Sequence, residues 1–407
     1  MGLRLFTWPR AAFFLFACAF GFVLTAPLPA TAAPFTPKSD AEVVERLPAT
    51  ADPAVRAVES LRRQLAAPGG GDRTALRLEI ARRYFDLAMA QGDPRYVGYA
   101  TAAIQPLAST AANPAPYWLV LGLIQQYSHD FDKALQSLDK AAQLDPQAAE
   151  PIAWQAAIYM VQARYKEALG ECTRLVPLAA PLLARGCTAY VQASTGQLGP
   201  AYADFRKDVA EAKGVPPALL VWDHTRLAEM ALRLQRPADA EAHFKQALQL
   251  GVTDQFLLGA YADFLIGAKR PAEALKLLAD WERSDILLLR LALAGKLAGD
   301  AKAAGWASQL RERFVDAARR GDRLHEQEAA RFELDIEGNA AKALDLARRN
   351  YSTQKEPRDA EILMRSALAA NDAKAAQPAL DWLRTSRYED PALEALATQL
   401  AAKGATR

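Results

Sequence analysis

Residues 125–135 read QQYSHDFDKAL, and within them His129, Asp130 and Asp132 place an imidazole and two carboxylates inside four positions. Such a set could ligate a metal ion or pass a proton between an acid and a base. Three further histidines, His224, His243 and His325, are scattered along the chain. No HExxH, CxxC, GxSxG, GxxxxGK[ST] or GxGxxG pattern occurs. The zinc-protease, redox, acyl-transfer, phosphate-cradling and dinucleotide chemistries that those spacings serve are therefore not spelled out. Cys172 and Cys187 make two thiols where a zinc quartet needs four ligands. A Ser/His/Asp set could still be assembled from distant segments, which keeps an enzyme with an unrecognised site as an alternative. We expect no catalytic residue, no cofactor and no metal centre.

The elements that would position such groups are helices. Ala and Leu dominate, interspersed with Arg, Asp and Glu, and tracts rich in Val, Ile and Thr are missing. With 407 residues, 51% hydrophobic and 24% charged, the chain suits either two or three ordinary domains or one long repeat array.

The first 33 residues differ from the rest. Arg4 and Arg10 precede and open the apolar run AAFFLFACAFGFVL (11–24), and Ala30-Thr31-Ala32 has the small-x-small form of a cleavage site. This is the pattern of a secretory signal peptide, and the run falls short of the roughly 20 residues of a membrane span. Retention as an anchor and lipid attachment at Cys18 are the alternatives. No later segment holds 18 consecutive apolar residues, so we expect no membrane span in the mature chain. Cleavage takes two of the 49 basic residues and none of the 47 acidic ones, leaving a formally neutral protein. Neutrality argues against a nucleic-acid surface. The expected location is the periplasm of a Gram-negative bacterium. There Cys172 and Cys187 would pair, since thiols in an oxidising compartment do.

Self-similarity is the strongest signal. In residues 115–148, Trp118, Leu121, Gly122, Ala134, Leu138, Ala141 and Pro146 fit two antiparallel helices. Gly122 and Ala134 are small where the helices approach, the larger residues fill the space between them, and Pro146 ends the second helix. Equivalent places are held by Ala156, Tyr159, Tyr165 and Ala168; by Ala189, Gly196, Ala201 and Phe205; by Leu227, Ala228, Ala240, Phe244 and Ala247; and by Tyr261, Ala262, Ala274, Leu278 and Trp281. Three weaker copies follow, around Leu291 and Gly299, Ala330 and Ala343, and Leu363 and Ala376. Residues 73–108 read as a further helix pair turning at Gly92-Asp93-Pro94, with a helix near 53–66 before it and a flexible stretch at 66–72. Residues 389–403 read as a final capping helix.

Segment 115–148 resembles the tetratricopeptide repeat, departing from it at Gln125, where the pattern prefers Tyr. The wider chain also resembles an uncharacterised family of exported tetratricopeptide proteins of proteobacteria, through DPRYVGYA (93–100), HDFDKALQSL (129–138), YADFLI (261–266), RRGDRLHEQEAARFEL (319–334) and QKEPRDAEIL (354–363). These resemblances imply an all-α fold, an α–α superhelix of about eight helix pairs that coils to the right. The expected organisation is a signal peptide (1–33), a divergent N-terminal helical region (34–114), well-matched units (115–284), then degenerate units and a C-terminal cap (285–407).

In such an array the concave face is lined by the first helix of each unit and is the usual binding surface. At the corresponding positions stand Leu119, Leu123, Met160, Tyr190, Trp222, Glu229, Phe256, Asp263 and Phe332, a groove of apolar anchors with a few acids. The expected function is a non-enzymatic periplasmic scaffold that holds a protein or peptide partner there. An accessory factor of a membrane assembly or secretion complex is the alternative. Residues 311–333 carry six Arg and six acids, which suits salt-bridged helix faces. Arg319, Arg320 and Arg323, bunched at a turn, form a candidate docking cluster. HDFD itself falls at the turn between two helices, and Asp300 and Asp372 recur at the place of Asp130 in later units. A turn that repeats argues for scaffolding rather than a unique active site.

Overall fold

A computed structural model describes residues 52–69, 71–109 and 112–405, together with Ser39. The expected signal peptide, its expected cleavage site and Cys18 lie outside the described residues. The described chain is helical throughout, without a strand. Helix α1 (Pro53–Ala66) packs on α2 (Arg73–Gln91), which pairs with α3 (Arg95–Ile104). Eight hairpins follow. Unit one is α4 (Ala115–Tyr127) with α5 (Phe131–Leu144), and unit two α6 (Ala149–Val161) with α7 (Tyr165–Leu175). Unit three is α8 (Pro181–Ala193) with α9 (Leu198–Glu211), and unit four α10 (Pro217–Arg233) with α11 (Pro237–Gln249). Unit five is α12 (Gln255–Gly267) with α13 (Pro271–Leu277), and unit six α14 (Asp285–Ala298) with α15 (Ala303–Arg319). Unit seven is α16 (Glu326–Phe332) with α17 (Ala340–Tyr351), and unit eight α18 (Pro357–Ala369) with α19 (Gln377–Ser386). A last helix, α20 (Pro391–Ala405), covers α18.

Each hairpin closes over small residues. A Cβ added at Gly122 would meet Leu138 Cγ at 2.8 Å, and Ala134 and Leu138 are fully buried. Ala168, Ala240, Ala274 and Ala343 are likewise fully buried in the second helices of later units. The short unit five departs from the sequence expectation: α13 stops at Leu277, so Trp281 lies beyond the helix rather than in it. Unit seven departs as well. After α16 the chain widens into a π-helical turn, Glu333–Glu337, ending at Gly338. Here the sequence period was weakest, and the inserted residue explains the loss of register.

The turn inside each unit is one motif used repeatedly. One residue takes a left-handed conformation: His129 (φ 58°), Ala163 (56°), Gly196 (83°), Gln235 (58°), Lys269 (59°), Gly299 (69°), Gly338 (70°) and Asn371 (57°). In units one to six and in unit eight, the N–H after it donates to the carbonyl five residues back, as from Asp130 to Gln125 (2.9 Å) and from Arg270 to Leu265 (2.8 Å). This is the six-to-one hydrogen bond that terminates a helix.

The stack coils back on itself. The intra-unit turns of the early hairpins meet the leading edges of the late ones. Gly92 has no room for a Cβ because Gln255 and Ser284 press on it. Lys355 donates its N–H to the Val161 carbonyl (2.8 Å), and the Trp382 indole donates to the Tyr165 hydroxyl (3.0 Å). Leu198 donates its N–H to the Glu389 carboxylate (2.6 Å).

Candidate binding groove

The inner wall is made by the first helices of the hairpins, and the structure divides the sequence-derived groove residues into two groups. Leu123 and Phe332 are fully buried inside their hairpins, so no partner reaches them. Leu119, Met160, Tyr190, Trp222, Glu229, Phe256 and Asp263 are half-buried. Trp222 leans partly into unit three, edge-on to Phe205 and Tyr190.

Between the apolar groups runs a ladder of ion pairs that sequence position alone did not mark. Arg226 lies over the Tyr190 ring at 5.1 Å, donates to its hydroxyl (3.1 Å) and pairs with Glu229 (2.8 Å). Asp263 accepts from Arg290 (2.7 Å) and forms an ion pair with Arg331 (2.8 Å), from the next two units. Asp335 then joins Arg331 (3.6 Å) to Arg365 (2.5 Å), carrying the ladder into unit eight. The arginines were missed because they stand one or more positions off the expected lining register. The usable signal was an Arg near an acid in each neighbouring first helix.

The electrostatics favour a fixed ladder. Burial alone would raise the Asp263 carboxyl, but Arg290 and Arg331 hold it below the ordinary carboxylate range. Burial opposes ionisation of Glu328 too, yet the neighbouring His325 (3.8 Å) and the charges of Arg290 and Arg358 bring it to about 2.

The HDFD residues sit at the turn of unit one. His129 takes the left-handed position, stacks on Phe131 (5.6 Å) and is pushed down to about 4 by burial, with His325 adding to the shift. A neutral imidazole held there serves the turn. Asp130 pairs with Lys133 (2.6 Å), and Asp132 lies in the first turn of α5, where a carboxylate suits the helix dipole. No group of three or more His, Cys, Asp or Glu side chains is arranged to hold a metal among the described residues.

Cys172 in α7 and Cys187 in α8 form a disulfide, Cα to Cα 5.5 Å, tying unit two to unit three. In the basic stretch, Arg319 pairs with Asp316 (3.2 Å), while Arg323 pairs with Glu326 (3.1 Å) and donates to the Arg349 carbonyl (3.2 Å). Arg320 is exposed beside them.

Eight successive hairpins, closed over small residues and turned by one recurring motif, decide the architecture. The hairpins are of the tetratricopeptide type. No family model matches the chain, and no curated protein matches it. Among solved structures it is similar to PilW, a widely conserved type IV pilus biogenesis factor, with 20% identity over 60% of this chain and 95% of that one, TM-score 0.36. It is also similar to a Rap protein complexed with competence and sporulation factor, with 12% identity over 86% and 99%, TM-score 0.45. Yeast Tom70 gives 14% identity over 86% and 83%, TM-score 0.41. Likeness at this level leaves the functional reading to the geometry of the chain itself.

Proposed function

We propose that this protein is a non-enzymatic interaction scaffold of the periplasm, which holds a segment of a partner protein in the inner groove of its superhelix. The observation that carries the reading is the half-buried row of Met160, Tyr190 and Phe256, with Glu229 and Asp263 beside it, on the inner helices of units two to five. Aromatic anchors within a polar surround are what protein recognition uses. The signal-like N-terminus and the Cys172–Cys187 disulfide support an oxidising location.

Site-specific photo-cross-linking in cells tests it. A benzoylphenylalanine at Tyr190 should give a discrete protein adduct, and one at Leu169, exposed on the second helix of unit two, should not. Trp222→Ala should weaken the Tyr190 adduct. Equal labelling from both positions, or none from Tyr190, would sink the groove reading.

A further inference from the structure

The turn edge of units three and four, at the rim of the groove, is already covered, and by the chain itself. The loop between α19 and α20, Arg387-Tyr388-Glu389-Asp390, reaches back across more than 150 residues of sequence to units three and four. The Tyr388 ring is buried, lies 3.7 Å from the Arg233 guanidinium and stands within electrostatic reach of Tyr190 and Glu229. The Glu389 carbonyl accepts from Arg233 Nε (2.9 Å). The Glu389 carboxylate accepts from the Leu198 N–H (2.6 Å) at the start of α9. A second donor of Arg233 is taken by the Ala193 carbonyl, so the guanidinium is aimed and fixed. Gly196 makes room, since a Cβ there would meet Arg387 Cβ at 3.1 Å.

These are the contacts by which a groove captures an extended peptide: an aromatic ring on an arginine, a backbone carbonyl on the same arginine, and a carboxylate on a free helix N–H. Arg387 is the left-handed cap that ends α19 (φ 57°) and turns the chain into this loop.

We infer that the surface formed by Arg233, Gly196 and the Leu198 N–H is a peptide-recognition site, occupied here in cis by Tyr388 and Glu389. The partner segment it takes carries an aromatic residue followed directly by an acidic one. Binding in trans then requires the α19–α20 loop to leave, so the loop gates this site at the rim of the groove. This rests on the groove reading above and specifies its partner.

The test uses a labelled peptide of the sequence of residues 384–392, RTSRYEDPA, and the full chain. Glu389→Gln weakens the cis contact but leaves the site intact. The variant should bind the peptide at least about tenfold more tightly than the wild type, because the competent state is no longer masked. A peptide with Ala in place of Tyr should not bind, and Arg233→Met should abolish binding in both backgrounds. Hydrogen exchange on the unmutated chain gives an arm that needs no variant. Millimolar peptide should speed exchange across 385–390 while the Leu198 amide stays protected. Unchanged exchange at 385–390, or equal peptide affinity for the wild type and Glu389→Gln, would overturn the gate. Cross-links from Tyr190 without loop displacement would fault the gate alone; displacement without such cross-links would fault the groove reading alone.

Discussion

Arg290 closes on Asp263 at 2.7 Å across the boundary between units five and six, with only 6% of the Arg290 side chain exposed. The same carboxylate also holds Arg331 from unit seven. In a stack of hairpins most contacts fall between neighbours, so much of its cohesion is a sum of interface terms. One carboxylate bridging three units makes those terms interdependent.

Asp263→Ala is therefore expected to cost about 2–3 kcal/mol, since it strands a buried guanidinium. Adding Arg290→Met should recover part of that loss. Denaturant midpoints for both single variants and the double variant check this. Additive losses, with no coupling between the two sites, would rule out the bridge as a cohesive unit.

The disulfide fastens the same stack earlier in the chain. Cys172 and Cys187 are 15 residues apart, and closing a loop of that size stabilises by about 3 kcal/mol in the chain-entropy model. Mass mapping without reductant should recover one linked peptide pair. A reducing agent should then lower the guanidinium midpoint of the wild type and leave a Cys172→Ala/Cys187→Ala chain unmoved. An identical midpoint with and without reductant would show that the bridge carries no stability.

The recurring turn makes a third expectation. Lys269 takes the left-handed position of unit five at φ 59° with its side chain exposed. A residue with a Cβ is disfavoured there by roughly 1–2 kcal/mol, part of which glycine gives back through the entropy of its unfolded chain. Lys269→Gly should thus raise stability by about 0.5–1 kcal/mol. Thermal unfolding is the measurement, and a loss of stability would show that the lysine stem contributes more than the backbone releases.

Which parts of this were readable beforehand follows from the range of the interactions. Gly122, Ala134 and Leu138 meet within one hairpin, so the recurrence of their spacing in later units, with the resemblance it carries, made the repeat and the fold legible. Asp130, Asp300 and Asp372 repeat one turn, so HDFD could be recognised as structural. The Cys172–Cys187 pairing was legible because adjacent units fix which helices touch. The ladder through Arg226, Arg290 and Arg331 was not, because a lining register read from unit one drifts as units change length. The seat of Tyr388 on Arg233 was invisible for a different reason. It depends on how far the whole stack coils, and that is the accumulated result of every interface between them. Trp281 was misplaced because nothing local signals that α13 ends after two turns.

The last expectation concerns a carboxyl with no hydrogen-bond partner among the described residues. Asp223, in α10 beside Trp222, is fully buried, and neither of its oxygens finds a hydrogen bond. Burial pushes it up to about 8 from an ordinary value of 3.8. Between those two pH values the folded chain keeps the proton and the unfolded chain has lost it. The folded state therefore binds more protons, and stability falls as pH rises through that window. The contribution is fully present below the ordinary carboxylate value and gone above the raised one. Asp223→Asn removes the proton and the slope it causes while retaining the shape. The melting temperature of the wild type should drop relative to the variant by a few degrees between about pH 5 and about pH 7.5. Every other titrating group is common to both chains, so the difference isolates this one carboxyl. Parallel curves across that range would mean that Asp223 is ionised in the fold and has a partner in solution.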